Sequence, residues 1–104
     1  MLISSPEEWN QVMEKAGGRL VVVDFFAKWC GPCVRIAPEM ERLEEEYGGR
    51  IVVRKVDVDQ SDEIATHFKV SSMPTFLYFK NGVMVDKSIG AVMEVIREKI
   101  EKHM

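Results

Sequence analysis

Both cysteines of the chain lie in one pentapeptide, Trp29-Cys30-Gly31-Pro32-Cys33. Two thiols three positions apart form a reversible redox pair. The apolar run Leu20-Val21-Val22-Val23-Asp24-Phe25-Phe26 stands directly before them, so the pair falls where a buried strand hands over to a helix. A thiolate at a helix start is stabilised by unpaired backbone N–H groups and by the positive end of the helix dipole. Cys30 therefore ionises more easily than a free thiol, and the thiolate is the species that attacks disulfides. A bridge across so short a loop would constrain little of the unfolded chain, which points to chemistry rather than to a structural staple. It also points to a reducing compartment. Zinc would need two further ligands, and only His67 and His103 remain, with no ligand-like spacing. No metal is expected.

Asp24 is the second chemical residue. A carboxylate among Val21, Val22, Val23, Phe25 and Phe26 is costly to ionise, so its pKa should rise toward neutrality and suit proton exchange. It could take the Cys33 proton, through water, as Cys33 becomes a thiolate. The bland alternative is an aspartate at a strand edge facing solvent. In Ile51-Val52-Val53-Arg54-Lys55-Val56-Asp57 successive side chains alternate faces, so Arg54 and Lys55 cannot share one. At least one of these cations needs a counter-charge, and Asp24 on a neighbouring strand is available to Lys55; a solvated lysine without a role is the alternative. Met73-Pro74 taken alone would be trans, since only about 5–6% of X–Pro bonds in folded proteins are cis.

The elements that must position these groups are legible. Ser5-Pro6-Glu7-Glu8 reads as a helix start, with Ser5 as cap, Pro6 at the first position and Glu8 closing a capping box. Trp9, Val12, Met13 and Ala16 then share a face, and Gly17-Gly18 end the helix. Leu20–Phe26 is a strand buried on both faces. Cys33, Ile36, Ala37, Met40, Leu43 and Tyr47 mark a second helix that ends at Gly48-Gly49; Pro38 inside it removes one N–H and predicts a kink after the first turn. Ile51–Val58 reads as an inner strand, followed by a short helix capped by Asp59 or Ser61. Asn81-Gly82 between Thr75–Lys80 and Val83–Ile89 predicts a hairpin with a type I′ turn. A last helix runs from about Ala91 to His103, with Val92, Val95, Ile96 and Ile100 on one face. Met1–Ile3 could add a short edge strand. Strand–helix–strand units followed by a hairpin predict an α/β fold, a mixed sheet between helices with right-handed crossovers.

At 104 residues the chain is one small domain, read as spanning 1–104, and large enough for a real core. A net charge of −3 with both signs interspersed offers no field for nucleic acid. No apolar stretch is long enough to span a bilayer, and no secretory signal is visible at Met1-Leu2-Ile3-Ser4-Ser5-Pro6. The expectation is a cytoplasmic monomer that binds neither nucleic acid nor membrane. The seven methionines fit core filling.

The stretch Val23-Asp24-Phe25-Phe26-Ala27-Lys28-Trp29-Cys30-Gly31-Pro32-Cys33 closely resembles the active-site segment of the thioredoxin family. Lys55-Val56-Asp57-Val58-Asp59, Met73-Pro74-Thr75-Phe76, and Lys80-Asn81-Gly82 followed by Gly90-Ala91 match at the expected places, so the resemblance spans essentially the whole chain. It implies a three-layer α/β/α fold, a mixed sheet of four to five strands flanked by about four helices. It implies that Cys30 attacks a substrate disulfide and that Cys33 resolves the mixed disulfide, with Cys30 the more exposed sulfur and Trp29 shielding one side. Asp24 would be the proton exchanger and Lys55 its partner. Met73-Pro74-Thr75 looks like the family's cis-proline loop, overturning the trans expectation and offering the Met73 backbone to an extended substrate. Gly31, Pro32, Gly90 and Ala91 would complete the docking surface with Trp29.

The resemblance further implies no bound cofactor beyond the redox-active disulfide. NADPH would be used indirectly, through a thioredoxin reductase partner. The electrons would go to protein disulfides, as in peroxiredoxin-like or ribonucleotide-reductase-like enzymes. Rival readings on the same fold are a disulfide isomerase or oxidase, disfavoured by Gly31-Pro32, and a binding scaffold whose redox state is incidental. Two departures stand out: Phe26 where tryptophan is frequent, and Val34 where lysine is common.

Overall fold

Alternation along the strands decides how the layers stack. A computed structural model covers residues 1–104 and sets the elements in the order α1 (Pro6–Ala16), β1 (Leu20–Phe26), α2 (Gly31–Glu46), β2 (Ile51–Asp57), α3 (Asp62–His67), β3 (Thr75–Lys80), β4 (Val83–Ile89) and α4 (Met93–His103). The four strands form one sheet in the order β2-β1-β3-β4. β1 runs parallel to β2 and antiparallel to β3, and β3 pairs antiparallel with β4. Leu20, Val22, Ile51, Val53, Phe76 and Tyr78 pack on one face against Ile36, Met40 and Leu43 of α2 and Ile96 and Ile100 of α4. The opposite set, Val21, Val23, Phe25, Val52, Val56, Leu77 and Phe79, packs with Ile64 and Ala65 of α3 and with Trp9, Val12 and Met13 of α1. The result is the expected α/β/α sandwich with a mixed sheet of four strands and four helices.

The helix starts follow their sequence signals with two shifts. Ser5 Oγ accepts the Glu8 N–H at 3.1 Å, as a cap should. Glu8 returns its carboxylate to the Ser4 N–H at 2.8 Å, one residue earlier than a capping box requires. At α3, Ser61 is the cap by position but makes no side-chain bond. Asp57 instead accepts the N–H groups of Asp59 and Gln60, and β2 ends at that residue, one short of the expected Val58.

α4 begins at Met93 rather than Ala91. Ile96 and Ile100 are fully buried, whereas Val92 and Val95 are 50% and 40% exposed. Val92 lies at the cap, outside the helical turn, and Val95 sits about 100° around the axis from Ile96, so the apolar face is narrower than expected. Met1–Ile3 forms no strand. A single parallel bridge joins Leu2 to Lys55, with Ile3 N–H donating to the Lys55 carbonyl at 2.8 Å and Lys55 N–H to the Met1 carbonyl at 2.9 Å. Asn81 and Gly82 both have positive φ, 53° and 76°, as a type I′ hairpin requires. No helix is long and apolar enough to cross a membrane.

Candidate active site

α2 starts on a cysteine. Cys30 is its N-cap, in extended backbone conformation, and its Sγ accepts the Cys33 N–H at 3.2 Å. The cap position that serine or aspartate usually fills is held here by sulfur, so the orphan N–H of the first turn points at the reactive atom. When Cys30 is a thiolate this donor and the helix dipole both favour the charge. Cys33 follows one turn on, with the two Cα atoms 5.3 Å apart and the sulfurs joined in a disulfide. Gly31 and Pro32 between them are exposed, Pro32 lying in the first turn, where its missing N–H costs nothing. The expected contrast in exposure is nearly absent: Cys30 is 5% and Cys33 3% exposed. Ala27, Phe26, Val58 and Met73 close around both sulfurs.

The loop before β3 approaches from the other side. Met73-Pro74 is a cis peptide, and the Met73 carbonyl oxygen lies 3.7 Å from Cys30 Sγ. Met73 N–H makes no hydrogen bond within the chain. Pro74 and Thr75 are buried; the Thr75 hydroxyl donates to the Ser72 carbonyl, and the Pro74 carbonyl accepts the Gly90 N–H at 2.9 Å. Gly90 has φ +104°, a conformation that disfavours any side chain. This bond ties Gly90-Ala91 to the cis-proline loop. Ile89 and Val92, on either side of that pair, are 58% and 50% exposed.

Trp29 is 68% exposed, and its Nε1–H donates to Asp59 at 2.9 Å. Asp59 thus anchors the indole from the loop after β2. The sequence offers Asp59 only as a helix cap, because nothing local links positions thirty apart. Exposed Trp29, Val34, Ile89 and Val92, together with the free Met73 N–H, give the site an apolar rim and one backbone donor.

Asp24 lies in the middle of β1, 4% exposed, opposite Lys55 on one side and Phe76 on the other. Its Oδ1 is the only buried side-chain nitrogen or oxygen without a hydrogen-bond partner. Burial pushes its carboxyl up from 3.8 to about 7, and the positive charge of Lys55 opposes the rise. The solvent-facing alternative is thereby excluded. Lys55 is not its ion-pair partner, however. The ammonium binds Glu41 of α2 at 3.7 Å and sits 5.0 Å from the centre of the Phe26 ring. An exposed carboxylate reached by the flexible lysine stem keeps its water, so it wins the contact over a buried one. Glu41, which the sequence did not single out, therefore belongs to the site's electrostatics. Arg54 starts from the other face of β2, as alternation requires, yet its guanidinium also reaches α2, at Glu44, because β2 lies at the sheet edge rather than inside it as the sequence suggested.

No group of side chains here could hold a metal ion. Fold and site together define a class: a dithiol–disulfide couple at the start of a helix, beside a cis-proline loop, on a mixed α/β sheet. The thioredoxin family model matches residues 1–102. The chain is 39% identical over 101 residues to Thioredoxin-T of Drosophila melanogaster, covering 97% of this chain and 64% of that protein. It is 41% identical over 102 residues to a thioredoxin of Geodia cydonium, covering 97% and 95%. The X-ray structure of Fasciola hepatica thioredoxin superposes with a TM-score of 0.95 at 42% identity, covering 99% of this chain and 98% of that one. This chain belongs to the thioredoxin family. It spans 64% of the length of the Drosophila relative and 17% of each of two nematode relatives that it also matches.

Proposed function

We propose that this protein is a protein-disulfide reductase, a dithiol electron carrier that works through the Cys30–Cys33 couple. The observation that carries this reading is the disulfide closed at the N-cap of α2, with a backbone N–H aimed at Cys30 Sγ. In the reduced protein, Cys30 thiolate attacks one sulfur of a substrate disulfide and expels the other as a thiolate, giving a mixed disulfide. Cys33 loses its proton and attacks Cys30 Sγ; the Cys30–substrate bond breaks, the substrate leaves with both sulfurs reduced, and the Cys30–Cys33 disulfide forms. Two electrons have moved. Asp24, buried on the sheet face that carries α2, accepts the Cys33 proton, a task its carboxyl pKa of about 7 suits. The free Met73 N–H and the apolar rim of Trp29, Ile89 and Val92 bind an extended substrate segment by its main chain, which accepts many sequences. Gly31, Pro32, Thr75, Gly90 and Ala91 hold that surface in shape.

The partners that follow from the family are a flavoprotein thioredoxin reductase, which draws on NADPH, and disulfide-bearing enzymes of the peroxiredoxin and ribonucleotide reductase kind. A cytoplasmic role in electron transport and redox homeostasis fits a couple of this type.

The test is the reduction potential at pH 7, by equilibration against dithiothreitol and glutathione buffers. The expected result is about −270 mV, a value characteristic of thioredoxins as a family rather than one obtained from these residues. A result near about −180 mV would move the protein to the isomerase and oxidase class. No measurable disulfide would leave only a scaffold.

A further inference from the structure

One ammonium stands between two carboxylates. Asp24 and Lys55 are in register on adjacent parallel strands, so their side chains leave the same face of the sheet. The strands lie about 4.8 Å apart, well within the reach of a lysine stem. Lys55 nevertheless binds Glu41 of α2 at 3.7 Å, with the Phe26 ring beneath it. The Glu41 side chain is 57% exposed and stays ionised at little desolvation cost, while Asp24 is buried with one oxygen unpartnered. We propose that Glu41 is a positioning residue for the dithiol chemistry: by holding Lys55 against α2, it leaves the Asp24 carboxylate without an ion partner and free to accept the Cys33 proton. The inference rests on the role proposed for Asp24 above.

Other groups around the carboxyl are already engaged or carry no charge. On β2, Asp57 is spent on the Asp59 and Gln60 N–H groups, and Arg54 on Glu44. On β3, the Tyr78 hydroxyl is bonded to Ser88 of β4, and burial pushes its ionisation up to about 12. On α2 the sulfur of Cys33 is in the disulfide. α4 contributes Ile96 and Ile100 to this face. Lys55 is therefore the one charge able to change its distance from Asp24, and Glu41 is what decides that distance.

Remove the Glu41 charge and the ammonium can swing to Asp24. An opposite charge within about 4–6 Å lowers a carboxyl pKa by about 1–3, which weakens Asp24 as a base. The experiment is a carbon-13 NMR titration of the Asp24 carboxyl in the wild type, Glu41→Gln, Lys55→Gln and the double variant. Glu41→Gln is expected to move the Asp24 midpoint down by about one pH unit or more. The double variant should titrate like Lys55→Gln alone. Two results overturn the proposal: an unmoved midpoint in Glu41→Gln, or a downward step of equal size whether or not Lys55 is present, which would be a direct effect of the lost charge. The pH profile of mixed-disulfide resolution should shift with the titration. Because the titration reads the carboxyl whether or not the protein reduces disulfides, failure here and failure of the proposed function are separate results.

Discussion

At the residue scale, the proposed reduction begins at one sulfur and takes its pH dependence from one carboxyl. Cys30 accepts a backbone N–H and Cys33 lies a turn beneath it, so replacing either has a distinct outcome. Cys30→Ser removes the attacking atom and abolishes reduction. Cys33→Ser leaves the attack intact and removes the escape, so mixed disulfides on Cys30 accumulate and can be identified by mass spectrometry of non-reduced adducts. Recovery of adducts through residue 33 in Cys30→Ser would reverse the assigned roles. Asp24→Asn keeps the shape and removes the base. Resolution of the mixed disulfide should slow on the order of 10²-fold, the low end for general base catalysis. The wild-type rate should rise as pH passes about 7, where Asp24 loses its proton; the variant should lose that inflection. Stopped-flow Trp29 fluorescence against a disulfide substrate would show it, and an inflection surviving in Asp24→Asn would assign the proton to another group.

At the scale of elements, local signals were sufficient wherever the structure is locally determined. Ser5-Pro6 begins a helix, Gly17 ends one, and Asn81-Gly82 turns a hairpin, each for reasons contained within a few residues. The buried course of Asp24 could be read from its apolar neighbours, because β1 is covered on both faces. Other contacts had no local trace. Trp29 meets Asp59 across the β1–α2 and β2–α3 loops, and Lys55 meets Glu41 across a helix and a strand. In both cases the sequence shows the charges but not which partner the crossover delivers. The cis form of Met73-Pro74 was likewise invisible to propensity and came only through resemblance. The hairpin offers a clean check of a locally determined element. Gly82 has φ +76° with open space where a side chain would go, so Gly82→Ala pays only the left-handed backbone penalty, about 1 kcal/mol. Urea unfolding should register that loss while the potential of the Cys30–Cys33 couple stays unchanged. A shifted potential would mean that strain in the hairpin reaches the site through β4 and Gly90.

At the scale of the whole molecule, two aspartates pull stability in opposite directions along the pH axis. Asp24 has a folded-state pKa of about 7 against 3.8 for the free group. The native state therefore holds a proton that the unfolded chain releases, and it loses stability as pH rises from about 4 to about 7. The full effect is on the order of 4 kcal/mol. Asp86 behaves in the reverse sense. Its carboxylate on β4 accepts bonds from Lys99 at 2.9 Å and from His103 at 2.8 Å, clamping α4 to the hairpin, and these bonds hold it well below the usual carboxylate range. Its contribution is complete above the free-group value near 3.8 and is lost as pH falls below it toward the folded-state value. Stability should accordingly peak at mildly acid pH, about 4–5, and fall on both sides. Asp24→Asn should remove the neutral-side decline, stabilising the oxidised protein by a few kcal/mol at pH 8 and hardly at all at pH 4. Asp86→Asn should destabilise at pH 7 and converge on the wild type in strong acid. The two carboxyls share no hydrogen-bond or ion-pair partner, and only the Tyr78 hydroxyl between them feels both charges, so the double variant should show close to the sum of both effects. Urea unfolding of the four proteins from pH 3 to pH 8 tests the whole pattern. If Asp24→Asn gained no more at pH 8 than at pH 4, the buried carboxyl would not be storing the energy on which its proton chemistry depends.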